Sequence, residues 1–219
     1  MTLRTLLSTT GAQSWINRPN ENDATPLHYA AQHGHAAVLM QLIEALCNID
    51  IQAIDRTTPL NVAAIQGHAD VTEQLVASRC NGDLPDNQGC TSFYNAAGNG
   101  NATVTNQLIE ALCNMDAQQK NGYSPLHVAA HSGYASVTKQ LIEACCDIDV
   151  QQKDGTTPLH VAAHRGHAAA AQLLLAARCN IDLRTMNSLT ALKAAERAGN
   201  AAIATLIQNT KQYSPKAVS

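Results

Sequence analysis

No stretch of this chain approaches the roughly 20 consecutive apolar residues that a membrane-spanning helix requires, and its start lacks the apolar core of a secretion signal. The expectation is a soluble protein without a membrane span. A strong charge of either sign is missing as well. The formal net charge of −3 over 219 residues gives little case for nucleic acid or for an anionic membrane surface, although it leaves room for an acidic partner met locally. Also absent are a glycine-rich loop followed by Lys and a nucleophile elbow. Ser, Cys and His occur only as scattered residues, so no catalytic constellation is legible and neither an enzyme nor a cofactor is expected.

What the chain does have is periodicity. Thr25 to Ala31 reads Thr-Pro-Leu-His-Tyr-Ala-Ala, and the register returns every 33 residues through Leu27, Leu60, Phe93, Leu126, Leu159 and Leu192. Gly34, Gly67, Gly100, Gly133, Gly166 and Gly199 keep the same spacing without an insertion, which gives six units. Pro in the first turn of a helix sacrifices no hydrogen bond, and the Thr or Ser before it can cap that turn. Thr25, Thr58, Thr91, Ser124, Thr157 and Thr190 therefore start first helices, each ending near its Gly, which can adopt a left-handed turn. A second helix follows with apolar residues at helical spacing, as in Val38, Leu42, Ile43 and Leu46, or Val137, Leu141, Ile142 and Cys145. Neither helix buries its stripe alone, so the units must stack and their stability becomes a sum over neighbouring interfaces.

A 33-residue period opened by Thr-Pro-Leu-His resembles the ankyrin repeat, a β-turn followed by two antiparallel helices, over roughly nine tenths of the chain. The resemblance implies an all-α repeat solenoid of stacked helix-turn-helix units with β-hairpin fingers. Residues 1–24 are then an N-terminal capping helix, carried by Leu3, Leu6, Leu7 and Ile16, with the first hairpin. Residues 25–207 form the six units as one continuous solenoid domain, and 208–219 are a helix end and a flexible tail containing Ser214-Pro215.

Seven cysteines raise the question of disulfides or metal, but Cys47, Cys80, Cys113, Cys146 and Cys179 are spaced by 33 and occupy one equivalent position. Neighbouring units stack about 10 Å apart, whereas a disulfide needs α-carbons within about 7 Å, so the ladder reads as free, packed thiols in a reducing, cytoplasmic setting. In the family pattern Gly-Ala-Asp-Val-Asn these cysteines fall on the Ala, a small buried site. Cys90 differs, since it falls in a hairpin where exposure is expected. The Gly of that pattern is replaced by Leu46, Arg79, Leu112, Cys145 and Arg178. Either these helices end differently or they run longer. The closing Asn becomes Asp50, Asp83, Asp116, Asp149 and Asp182, carboxylates suited to accepting backbone hydrogen bonds at the base of each hairpin. A stacked acidic row binding a cation is the sharper alternative. The third unit, Thr91 to Gly100, loses both Pro and His and places Gly98 inside its first helix, so it should be the least stable interior unit. In the sixth, Lys193 replaces the motif His, as suits a capping unit.

His160, His164 and His167, with His127 and His131, raise a metal site, because residues four apart share a helix face. The resemblance instead assigns His28, His127 and His160 to hydrogen bonds between neighbouring turns and His35, His68 and His167 to a position after the interhelical Gly. No third or fourth ligand converges, so no metal is expected. The resemblance also implies that recognition lies on a concave face of finger tips and first-helix surfaces. The residues singled out there are Lys120, Tyr123, His131, Lys153, His164, Arg165, Met186, Leu189 and Arg197. Aromatic, Met and Arg side chains dominate interface energetics, which points to Tyr123, Met186, Leu189 and Arg165 as anchors. Lys120, Lys153, Arg165 and Arg197 tilt this half basic, toward an acidic or mixed polar-apolar segment of another protein. The function expected is a non-catalytic, monomeric adaptor that binds neither nucleic acid nor membrane. The alternatives are an inhibitor or regulatory subunit of an enzyme, a bacterial effector delivered into a host cell, or, remotely, a metal-dependent enzyme using the histidine clusters.

Overall fold

Local chemistry at each Thr-Pro step produces the elements of this computed structural model, which describes residues 16–213. Thr58 shows the device: its hydroxyl accepts the N–H of Asn61 at 3.1 Å, while the Asn61 carboxamide accepts the N–H of Thr58 at 2.8 Å, a reciprocal capping box with Pro59 in the first turn. Ser124 with His127 and Thr157 with His160 repeat it. Contacts divide the chain into two compact units, Met1–Asn114 and Met115–Ser219. Leu3, Leu6 and Leu7 of the expected capping helix, and Ser214-Pro215 of the tail, lie outside the described residues. Ile16 is described and is buried.

The first unit holds three helix pairs: α1 (Pro26–Gln32) with α2 (Ala36–Glu44), α3 (Pro59–Gln66) with α4 (Ala69–Ala77), and α5 (Ser92–Gly98) with α6 (Ala102–Glu110). The second unit holds α7 (Pro125–Ser132) with α8 (Ala135–Glu143), α9 (Pro158–Arg165) with α10 (Ala168–Ala176), and α11 (Ala191–Arg197) with α12 (Ala201–Tyr213). Among the described residues there is no strand. Within each unit the first helices of the pairs pack side by side in one layer and the second helices in another. The large apolar residue of the first five motifs is sealed between the layers, with Leu27, Leu60, Phe93, Leu126 and Leu159 all at most 2% exposed, while Leu192 of the sixth is half-buried. Each such side chain contributes about 1.5–3 kcal/mol of burial. Paired alanines, such as Ala63 with Ala64 and Ala162 with Ala163, are fully buried and let the first helices approach closely.

The second helices correct two expectations. Their core residues include Leu39 and Leu42, or Val137 and Leu141, but Val38 is 40% exposed, Leu46 is 85% exposed and Cys145 is exposed too. The reason is how these helices end. Leu46, Arg79, Leu112, Cys145 and Arg178 all take a left-handed backbone, with φ between 56° and 62°. The N–H of Leu46 bonds to the carbonyl of Ile43 and that of Cys47 to Leu42, and the other four endings repeat this double bond. This is the Schellman stop usually built on Gly, formed here on residues with side chains. Of the two open endings, the helices therefore keep the family's stop and bear its strain, about 1 kcal/mol each. The thiol that follows each stop is buried at Cys146 and Cys179 but only half-buried at Cys47, Cys80 and Cys113. Burial first, then a nearby carboxylate, pushes Cys80, Cys146 and Cys179 up to about 12, so these are protonated packing groups. Cys90 is half-buried rather than exposed, and burial, then Asp86, pushes it up to about 11.

The acidic row organises backbone within each unit. Asp50 accepts the N–H of Asn81 at 2.8 Å and Asp83 that of Asn114 at 2.8 Å; Asp116 accepts that of Asp147 at 3.0 Å and Asp149 that of Asn180 at 2.8 Å. Asp182, the last, takes the Lys211 ammonium at 3.0 Å. Among the described residues no group of three or more His, Cys, Asp or Glu is placed to hold a metal ion, and no helix is long and apolar enough to cross a membrane.

Candidate protein-binding face

Each finger is a tight hairpin turn. The N–H of Gln152 donates to the Thr156 carbonyl at 2.9 Å, and that of Gly155 to the Gln152 carbonyl at 2.9 Å. Gly155 has φ +83°, and a β-carbon there would lie 2.9 Å from the Arg184 carbonyl of the next finger, so the close stacking of these fingers depends on its missing side chain. Met186 N–H then donates to the Asp154 carbonyl at 2.7 Å, linking finger to finger.

Buried histidines fasten the fingers to the first helices. Ser124 N–H donates to His127 Nδ1 at 3.2 Å, so the ring hydrogen sits on Nε2 and donates to the Thr156 carbonyl at 3.0 Å. His160 does the same from Thr157, at 3.3 Å, to the Leu189 carbonyl, at 2.9 Å, and in the first unit His28 reaches the Thr57 carbonyl at 3.1 Å. Burial, opposed by the accepted carbonyl contact, holds His28 and His160 below their ordinary range and takes His127 down to about 4. All three are neutral connectors. His167 donates in turn to the His131 carbonyl at 2.8 Å and His68 to the Gln32 carbonyl at 3.0 Å. The spacing that suggested a chelating row thus places His160 and His167 on separate backbone carbonyls, with His164 exposed to solvent.

Above this scaffold, the second unit forms a cavity of about 210 Å³ between the fingers and α7, α9 and α11. Five of the nine residues singled out from sequence surround it: Tyr123, His131, His164, Arg165 and Leu189. Tyr123 and Leu189 are half-buried in its wall, and the Tyr123 ring lies 5.8 Å from that of His127. His164 and Arg165 stand exposed at the rim. Lys120, Lys153 and Met186 are exposed on the fingers and Arg197 on α11, outside the lining. Thr156, a finger residue on the expected face, also lines the cavity; sequence reasoning missed Val161, Thr185 and Ala194, which complete the wall, and did not place His160 there. The available signal was size. Ala194 occupies the register position of Tyr29, Val62 and Val161, and its small side chain leaves the space open.

The rim carries one fixed positive charge, Arg165. His131 is held below its ordinary range by burial, then by the charges of Arg165 and His167. None of the lining residues is acidic, and among the described residues the Arg165 guanidinium has no carboxylate within ion-pair distance. The arrangement offers an apolar recess, hydroxyls and fixed positive charge, a combination suited to binding.

A family model described as "Ankyrin repeats (3 copies)" matches residues 2–86, 60–154 and 126–217, nearly the whole chain. The chain belongs to the ankyrin-repeat family. Ankyrin repeats are in general modules of protein-protein interaction, and the finger and first-helix face described above is the part of this ankyrin chain whose residues differ most from unit to unit. Among solved structures, an ankyrin repeat domain from Acinetobacter baumannii AYE is similar with a TM-score of 0.79 at 21% identity, covering 85% of this chain and 97% of that one, a likeness of fold. No curated protein matches the chain.

Proposed function

We propose that this chain is a non-catalytic scaffold of six ankyrin repeats that holds another protein on the finger-side face of its second unit. The observation that carries the reading is the convergence of Tyr123, His131, His164, Arg165 and Leu189 around one cavity. Half-buried aromatic and aliphatic side chains beside an unpaired Arg are the residue types that supply most of the energy at protein interfaces. The partner segment is acidic or of mixed polar-apolar character, because the second unit contains ten Lys and Arg against seven Asp and Glu and the cavity rim adds no carboxylate. The protein works as a monomer, binding neither nucleic acid nor membrane, in a reducing compartment. The seven unpaired thiols support that setting.

The test is capture from cell lysate with the wild type beside the triple variant Tyr123→Ala, Arg165→Ala, Leu189→Ala, both confirmed folded by circular dichroism. A protein held by the first and lost from the second, by at least about ten-fold or about 1.4 kcal/mol, is the expected result. Equal capture by both places recognition elsewhere and removes this face.

A further inference from the structure

The cavity has a chemistry more specific than a general docking surface. Its inner wall is apolar, with Val161 and Ala194 nearly buried and Tyr123 and Leu189 half-buried. Its rim carries Arg165, His131 and His164, and Thr156 and Thr185 complete the lining, the first bonded through its side chain to the Asp154 carboxylate and the second accepting the Leu189 N–H at 3.2 Å. Apolar floor and charged rim are therefore within one side chain of each other. The position of Arg165, just before the interhelical Gly, is filled elsewhere by His33, Gln66, Asn99, Ser132 and Ala198, so this is the one unit in which it bears a permanent charge. The charge balance of the two units points the same way. The first contains four Lys and Arg against ten Asp and Glu, a net of −6, whereas the second contains ten against seven, a net of +3. An acidic segment is steered to the second unit and repelled by the first.

Building on the scaffold reading, we infer that the cavity takes a partner segment in which an acidic residue adjoins an aliphatic one. The aliphatic side chain enters between Tyr123, Val161, Leu189 and Ala194, and the carboxylate meets the Arg165 guanidinium. Charge complementarity selects the carboxylate, since a guanidinium offers it two parallel donors. The cavity volume selects the neighbour. Ala194 leaves space for branched carbons, which lose their hydration shell as they enter. An amide in place of the carboxylate keeps the shape and loses the charge, and a lysine is repelled by the rim.

The test uses the full chain and capped hexapeptides with the central pairs Asp-Leu, Asn-Leu, Lys-Leu and Asp-Ser in a Gly/Ser background, followed by amide chemical shifts. Asp-Leu is expected to perturb the amides around Tyr123, Val161, Arg165 and Ala194, and to bind about ten-fold more tightly than Asn-Leu or Asp-Ser, with the advantage over Asn-Leu shrinking between about 0.05 and about 0.3 M salt. Lys-Leu should bind least. Arg165→Gln, at an exposed position, should abolish the preference for Asp over Asn while leaving the apolar contribution. Ala194→Val, which installs the residue already present at 62, 128 and 161, should weaken Leu-containing peptides several-fold without changing the charge preference. Equal binding of Asp-Leu and Asn-Leu, shifts centred away from the cavity, or no shift with any peptide overturns the inference. The lysate capture is read independently: a partner lost from the triple variant while the peptides fail keeps the scaffold and rejects this ligand chemistry.

Discussion

The two units share a scaffold and differ in what they lay over it. Both stop second helices on left-handed residues with side chains, both accept the next backbone N–H on a carboxylate, and both seal the large apolar motif residue in every pair but the last. Yet all six lysines fall in the second unit, and so does the open cavity with Arg165 at its rim. The buried polar links also diverge. The second unit joins helix to finger through His127 and His160; the first uses His28 once and then substitutes Asn61, which donates to Ser92 at 3.0 Å. The difference teaches that the packing positions tolerate little exchange, while links and surface differ between the two halves.

Acid should separate the two units most. The unfolded chain takes up protons on its histidines near pH 6.5, but the fold keeps these rings neutral, so stability is intact above that pH and falls as the pH drops toward the folded values. For His127, at about 4 in the fold, the loss reaches on the order of 3 kcal/mol. Asp55 and Asp154 do not blur the comparison. Burial pushes each up, but hydrogen bonds from Thr57 and Thr156 outweigh it and hold each below its ordinary range, one in each unit. Hydrogen exchange on the whole chain between about pH 7.5 and about pH 5, corrected for intrinsic rates, should show α7 and α9 losing more protection than α3. His127→Asn, copying Asn61, should flatten that slope. Equal loss in both units would break the comparison.

A smaller effect is expected at Asn95, which stands at the register position of Val62, Val128 and Val161. Its carboxamide nitrogen is buried without a partner, which costs about 1–3 kcal/mol. Asn95→Val should raise the urea midpoint by roughly 2 kcal/mol of stability at unchanged slope. A neutral or destabilising result would show that the amide is satisfied in solution. Smaller still is the helix stop. Leu112→Gly in the first unit and Cys145→Gly in the second should each stabilise by about 1 kcal/mol, because the strain relieved is the same. Gains differing by more than about 0.5 kcal/mol would show that the shared stop is not energetically equivalent in the two units.

The periodic fold was legible because capping residues, interhelical glycines and sealed leucines act locally and recur in register. The roles of Asp50, Asp83, Asp116 and Asp149 were legible for the same reason, whereas Asp182 takes the Lys211 ammonium in place of the expected backbone N–H. The site was half legible. Tyr123, Arg165 and Leu189 stand out by residue type, but Val161, Thr185 and Ala194 matter through the space they leave, which exists only after three helices and two fingers meet. The end of the second helices was undecidable from sequence, since the pattern at Leu46 or Cys145 is equally consistent with one more helical turn.

The carboxylate row has a direction. Every link joins an acceptor offered by one pair to an N–H supplied by its successor, beginning at Asn17, whose carboxamide accepts Asn48 N–H at 3.3 Å, and ending where Lys211 fills Asp182. A duplicated pair inserted within either unit would bring its own donor and its own acceptor, so it would leave no orphaned group on either side. Growth by copying is therefore chemically free along the interior, and only the last pair, with its lysine in place of a successor, has to be unlike the rest.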